Sequence, residues 1–162
     1  RQGYNNPLSV EDKELYSLLV PLADERLLIP RASVAEVIRY ESPKEETEAK
    51  SWLLGTIMWN NRDLPVIAFE GTMGRDLPIP VGRTRIVILY STTGKIREGF
   101  FGILTQGFPQ LVRVNEEVLK LDSKDGWADN VPVLCRVKMI NEFPLIPNFE
   151  MLEHMIAERV SP

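Results

Sequence analysis

Two residues in this chain are scarce enough to stand out as candidate chemistry, the single histidine His154 and the single cysteine Cys135. A zinc site draws several ligands from His and Cys, and neither residue has a second of its kind to join it. General acid–base work by His154 would need a second group to orient the ring. Phe149, Leu152, Ile156 and Val160 fall at the spacing of one apolar stripe and predict an amphipathic C-terminal helix. His154 lies off that stripe, toward solvent. Cys135 alternates with Val133, Val137 and Met139, the period of a strand face, so it reads as a core residue and not a reactive thiol. One cysteine cannot form an internal disulfide, which fits a reducing compartment.

The carboxylates and glycines offer no stronger constellation. Glu45, Glu46 and Glu48 lie in a stretch without bulky apolar residues, the pattern of a solvated loop, and lack calcium-loop spacing. Asp63, Glu70 and Asp76 are a candidate carboxylate site, but nothing in their spacing makes them converge. Thr92-Thr93-Gly94-Lys95 lacks the upstream glycine and following hydroxyl residue of a phosphate-binding loop. Gly71-Thr72-Met73-Gly74 is too short for a dinucleotide fingerprint, and no Gly-x-Ser-x-Gly occurs. The expectation is a protein that is not an enzyme and uses no cofactor or metal.

Composition agrees with that direction. The 162 residues are 44% hydrophobic and 26% charged, ordinary for a globular domain. Lys and Arg number 19 against 23 Asp and Glu, a net charge of −4. A chain with that balance lacks the electrostatic footprint of a nucleic-acid binder. No apolar run approaches the ~20 residues of a membrane span, and no signal-peptide pattern opens the sequence. A cytoplasmic location is expected.

The elements that must position any site are short. Residues 1–14 read as a polar tail, with Asn5-Asn6-Pro7 as a turn and Ser9 with Asp12 as a possible cap. Strands are expected at Leu15–Val20, Arg26–Ile29, part of Ala32–Tyr40, Trp52–Trp59, Leu64–Phe69, Arg85–Tyr90, Phe100–Leu104, Leu111–Val114, Val131–Ile140 and Leu145-Ile146. Asn60-Asn61 joins two of them as a hairpin, since Asn tolerates positive φ. Gly71–Gly82 and the Lys124-Asp125-Gly126 turn read as loops. Asn148 stands where the C-terminal helix needs an N-cap. About ten short strands with one helix predict an all-β barrel or sandwich.

Three segments carry a resemblance. They are Ser33-Val34-Ala35-Glu36-Val37-Ile38; Trp52-Leu53-Leu54-Gly55-Thr56-Ile57 followed by Leu64-Pro65-Val66-Ile67; and Phe101-Gly102-Ile103-Leu104. In order and spacing they resemble the CheW-like adaptors of bacterial chemosensory arrays, over roughly Leu15 to Glu153 of the chain. Three positions depart from the pattern. Asn60-Asn61 stands where the family has Arg-Gly, Ala68-Phe69 where it has Asp-Leu, and Gln106 where it has Asp. Asn can replace Gly in a turn, but it cannot replace the multi-donor guanidinium. The departures fit a divergent paralogue, such as one serving a pilus or surface-motility system.

The resemblance implies two small intertwined five-stranded β-barrels with a C-terminal helix, residues 15–162 forming one CheW-like domain. It implies a non-catalytic scaffold that couples chemoreceptor hairpin tips to the regulatory domain of a CheA-type histidine kinase, recruited to membrane-associated arrays without inserting in the bilayer. By matching positions, Val34, Glu36, Val37 and Ile38 form the receptor-binding segment, with Gly102 and Ile103 on the facing strand. Asn60 and Asn61 form a partner-contact hairpin. Val34, Val37 and Ile103 would supply apolar area, and Glu36 a charge-assisted hydrogen bond. The plainer reading makes Val37 and Ile103 interior residues, Glu36 a solvated residue and the Asn pair a turn only. Trp127 is either an exposed anchor or folded onto the body. Barrel-end loops, Gly71–Gly82 the longest, are the expected kinase surface. The alternative function is an unrelated β-barrel module for a small ligand or single-stranded nucleic acid, stacking on Tyr90, Phe100 and Phe101 beside Lys95 and Arg97.

Overall fold

A computed structural model describes residues 16–46, 51–115, 120–123 and 127–160. The expected tail over residues 1–14 and the turn at 124–126 lie outside them. Strands β1 (Tyr16–Pro21) and β2 (Arg26–Pro30) form a hairpin, and one 3-10 turn leads to β3 (Val34–Arg39). Next come β4 (Leu53–Trp59), β5 (Arg62–Ile67), a single helical turn α1 (Phe69–Thr72), β6 (Arg85–Tyr90) and β7 (Phe100–Thr105). The chain ends with β8 (Gln110–Arg113), β9 (Lys120–Ser123), β10 (Val133–Lys138), β11 (Leu145–Pro147) and helix α2 (Phe149–Arg159).

Two sheets result. One has five strands in the order β3-β6-β7-β5-β4, the other six in the order β8-β1-β2-β11-β10-β9. The chain therefore starts one sheet, builds the whole of the second, and returns to finish the first. That is the intertwining expected. The strand count differs from the expected five and five. The additional strand, β9, reads Lys-Leu-Asp-Ser, with one apolar residue and no alternation long enough to signal a strand. Gly71 is likewise not loop but part of α1, and β5 ends at Ile67.

The five-stranded sheet is apolar on both faces. Ile57, Leu64, Val66, Ile86, Ile88 and Leu104 form a cluster on its inner, concave side, with Ala35 and Ile38 from β3 packed against it. Every strand of the sheet contributes, so the sheet curls around its own core. Its opposite face sends Ile67, Val87, Leu89, Phe101 and Ile103 into a central cluster shared with Val20, Leu27, Ile29 and Leu145 of the other sheet and Leu152 and Ile156 of α2. The uninterrupted apolar run of β6 is explained by this double burial. A third cluster, built on Leu19, Leu28, Val114 and Val137, fills the six-stranded sheet.

Bulges place side chains that strict alternation would misassign. The register of β10 shifts between Val133 and Cys135. Val133 therefore joins the central cluster, while Cys135, Val137 and Met139 face the third one. Sharing one face, as alternation predicted for all four, holds only for the last three. At Gly55, φ is +136°. A Cβ there would stand 2.2 Å from the Lys44 carbonyl oxygen. That close approach lets Lys44 and Thr56 exchange two backbone hydrogen bonds, 2.8 and 3.0 Å, tying the segment after β3 to β4. Two edges of the five-stranded sheet are thereby drawn together.

Buried and half-buried carboxylates join the parts. Glu153 of α2 is fully buried and accepts from Ser91 Oγ at 2.5 Å, Thr93 Oγ1 at 2.6 Å and the Thr92 and Thr93 amides. It clamps the helix to the β6–β7 connection. Asn148 caps the helix, its side chain accepting from the Met151 amide at 3.0 Å. Glu25, in the β1–β2 turn, is gripped by Arg136 through two contacts of 2.9 and 3.1 Å and by Arg75 at 3.1 Å. Glu70 is buried, with Oε2 accepting from the Ala23 amide at 2.8 Å and Oε1 without a partner among the described residues.

The Arg136 hydrogen bond holds the Glu25 carboxyl below the usual carboxylate range, against the opposing effect of burial, and Arg75 adds to it. Burial pushes Glu153 up, but hydroxyl and amide donors outweigh it and the net direction is down. Burial pushes Glu70 up and prevails. A lowered folded pKa adds stability above the unfolded value of about 4.3 that is lost as pH falls through the folded one; a raised pKa subtracts stability once pH rises through the carboxylate range. Thermal unfolding followed by circular dichroism should show a midpoint that falls below about pH 4. At neutral pH, Glu25→Gln should destabilise by about 1–2 kcal/mol, while Glu70→Gln should leave the midpoint level or raise it. Gly55→Ala should destabilise by more than ~1 kcal/mol, because neither its φ nor its neighbour tolerates a Cβ.

Candidate partner interface

Strand β3 lies at an edge of the five-stranded sheet, where its sequence matches the expected receptor segment. Its register shifts between Val34 and Glu36, so Ala35 is an additional residue. Because of that bulge, Val34 and Val37, three apart, both face the central cluster, while Ala35 and Ile38 face the concave one. Val34, Val37 and Ile38 are half-buried. Glu36 is exposed, and its Oε1 accepts from Trp59 Nε1 at 3.0 Å.

Trp59 ends β4 immediately before the hairpin tip. Asn60 and Asn61 have φ of 47° and 60°, the two consecutive positive values of a type I′ turn, which matches strand twist in a two-residue hairpin. Asn is the side chain after Gly that best accepts this backbone. Both Asn side chains are exposed. The Trp59–Glu36 hydrogen bond therefore brings the 34–38 segment and the 60–61 tip, far apart in sequence, into one surface.

An aromatic cap holds that surface. The Trp59 ring lies 4.9 Å from Phe100, which lies 5.3 Å from Tyr90. Arg62 sits 5.4 Å above the Phe100 ring and donates to the Glu98 carbonyl at 3.1 Å. These residues come from β4, β5, β6 and β7, and they close one end of the curled sheet. Sequence reading missed Trp59 and Arg62 as participants. The available signal was a Trp followed by a two-residue turn and an Arg, which places both side chains as a cross-strand pair.

Gly102 and Ile103 sit inside. A Cβ on Gly102 would meet Ile86 Cγ2 at 2.8 Å and Val66 Cγ2 at 3.3 Å. Gly is therefore needed there for strand packing. Ile103 is fully buried in the central cluster. The apolar area expected of it for a partner goes to the core instead, because β7 is the middle strand and both of its faces are covered. Trp127 packs partly against the central cluster, with the Arg136 guanidinium 5.7 Å from its ring. His154 is exposed beside Lys95 and Glu158.

The other candidate chemistries are not assembled. Asp63 and Asp76 are exposed while Glu70 is buried. Among the described residues no group of three or more His, Cys, Asp or Glu could hold a metal ion. Phe101 is buried toward the centre and Phe100 lies within the aromatic cap, since adjacent strand residues point to opposite faces. Of the three aromatics expected to stack bases together, Tyr90 alone is exposed.

A family model described as CheW-like domain matches residues 17–136. The crystal structure of the scaffolding protein TtCheW from Thermoanaerobacter tengcongensis superposes with a TM-score of 0.67 at 18% identity, covering 83% of this chain and 84% of that one. At that identity the likeness concerns the fold. No curated protein matches the chain. Trp59→Phe keeps the ring contacts and removes the donor to Glu36. It should lower stability by about 0.5–1 kcal/mol in urea titrations, and Trp59→Ala by more.

Proposed function

The chain belongs to the CheW-like domain family, and from that premise we propose that it is a chemosensory adaptor coupling chemoreceptor hairpin tips to the regulatory domain of a CheA-type histidine kinase. The observation that carries this reading is the composite surface of β3 and the Asn60–Asn61 tip, joined by the Trp59–Glu36 hydrogen bond. Family membership supports a non-catalytic scaffold. No helix of the described residues is long and apolar enough to cross a membrane. Attachment to arrays then comes through receptors. A receptor helix lays an apolar stripe along the half-buried Val34 and Val37, in the helix-in-groove manner. Glu36 supplies the polar anchor, exchanging or sharing its indole donor with one from the receptor. Single contacts of this size are modest, and the repeated geometry of an array strengthens them through effective concentration. A surface-motility output remains the reading suggested by the departures at Asn60-Asn61, Ala68-Phe69 and Gln106.

Calorimetric titration of the chain with a receptor hairpin-tip fragment and, separately, with the kinase regulatory domain tests this. Wild type should bind both. Glu36→Arg, at an exposed position, should weaken receptor binding about tenfold or more and leave kinase binding in place, with a loss of stability of about 0.5–1 kcal/mol from the broken Trp59 hydrogen bond. Val34→Glu should do the same with some loss of stability, because Val34 also touches the central cluster. Unchanged receptor affinity in a folded Glu36→Arg protein would remove β3 from the interface. Binding to neither partner would overturn the adaptor reading.

A further inference from the structure

Three carboxylates sit in the joints between the parts, and they are provided for unequally. Glu153 receives four donors and Glu25 receives two arginines. Glu70 is 2% exposed; its Oε2 accepts from the Ala23 amide at 2.8 Å, and its Oε1 has no partner among the described residues. A buried carboxylate short of donors favours its neutral form. Burial accordingly pushes the Glu70 carboxyl up, against its own amide, the Ala23 amide and the Arg75 charge, and Asp24 adds to the upward push. Behind these groups stand Glu25, in the same turn as Asp24, and Arg136 of β10. The cation acting on Glu70 is engaged elsewhere. Arg75 follows α1, its amide donates to the Glu70 carbonyl at 3.0 Å, and its guanidinium goes to Glu25 Oε2 at 3.1 Å. The Arg75 side chain is 37% exposed, so solvent leaves it room to swing.

Two carboxylates thus lie within the influence of one arginine, and one of them holds it. We propose that Glu70 is a proton switch that moves Arg75 between Glu25 and itself. With Glu70 protonated, Arg75 stays on Glu25 and bridges the exit of α1 to the β1–β2 turn. When Glu70 loses its proton, the orphan oxygen becomes part of a buried charge that has to be met. Arg75, in the same segment, is the cation placed to meet it. A pair within one segment then replaces a bridge between two. The Ala23 amide donates to Glu70 in both states and more strongly to the anion, so the turn stays attached there. Glu25 is left with Arg136, on the wall of a groove lined also by Asp24, Arg26, Glu142 and Phe143. The charge which that groove presents therefore follows pH. Ala23 and Asp24 are exposed, so the joint lies at the surface and the change disturbs neither core. Because the proton is held more tightly in the folded chain, stability falls as pH rises from the unfolded value of about 4.3 through the folded one, and is level above it. The switch does not depend on the adaptor reading.

NMR of the glutamate carboxyl carbons and the arginine side chains in the full chain, from about pH 4 to about pH 9, tests this. Through-bond correlation in wild type assigns the Glu70 signal, and its loss in Glu70→Gln checks the assignment. The Glu70 midpoint should lie above that of the exposed glutamates. The Arg75 Nε and Ala23 amide shifts should move with that same midpoint. In Glu70→Gln the Arg75 movement should vanish, together with the step in thermal stability at that pH. Arg75→Gln should raise the Glu70 midpoint further, because the cation that answers the charge is gone, and this readout does not require Glu70→Gln to fold. A Glu70 that titrates with the exposed glutamates overturns the switch. A Glu70 that titrates above them while the Arg75 signal stays still, or whose midpoint is unchanged in Arg75→Gln, overturns Arg75 as the group that moves.

Discussion

A five-stranded sheet apolar on both faces cannot stand alone in water, and the rest of this structure answers that constraint. Burying one aliphatic or aromatic core side chain contributes about 1.5–3 kcal/mol, and β6 alone places Ile86, Val87, Ile88 and Leu89 in the interior. One face is covered by curling, so that β3 and β4 approach and Lys44 bridges Thr56. The other face requires a second layer. The six-stranded sheet and α2 supply it, and the chain must return after β7 to build most of that layer. The intertwined topology is the covalent consequence of a sheet that needs two covers.

Polar groups then fix how the layers meet. Apolar packing is non-directional, so orientation comes from groups with geometry. Glu153 accepts from one short loop and sets the position of α2. The Arg75–Glu25–Arg136 chain joins the exit of α1 to the six-stranded sheet. A buried carboxylate with several donors is directional as well as stable, and losing one partner leaves the remainder unsatisfied.

The two ends of the five-stranded sheet follow from the same constraint. With both faces covered, the side chains free to meet a partner are those at the strand ends, along the edge strand and in the connecting loops. One end is capped by Trp59, Phe100 and Tyr90 and carries the Asn60–Asn61 tip. The other carries Arg39 across from Arg85, with the Phe108 ring exposed beside Arg85.

Much of this was legible in the amino-acid order. Short apolar runs between turn residues marked ten of the eleven strands among the described residues, because strand burial depends on local pattern. The Asn60–Asn61 hairpin and the Asn148 cap were readable because backbone conformation and local hydrogen bonds are decided within four residues. Motif spacing pointed to the family. What the sequence could not determine was which face each side chain takes and what it meets there. Ile103 reads equally as partner contact or core residue until β7 is known to be the middle strand. Val34 and Val37 share a face only because of a bulge at Ala35, and Val133 leaves the face of Cys135 only because of a bulge at Leu134. The Trp59–Glu36 hydrogen bond spans 23 residues, and Glu153 meets Thr93 across 60. Such pairings depend on sheet order and register. Those are set by the sum of long-range packing and not by any local stretch, so only the tertiary structure could decide them.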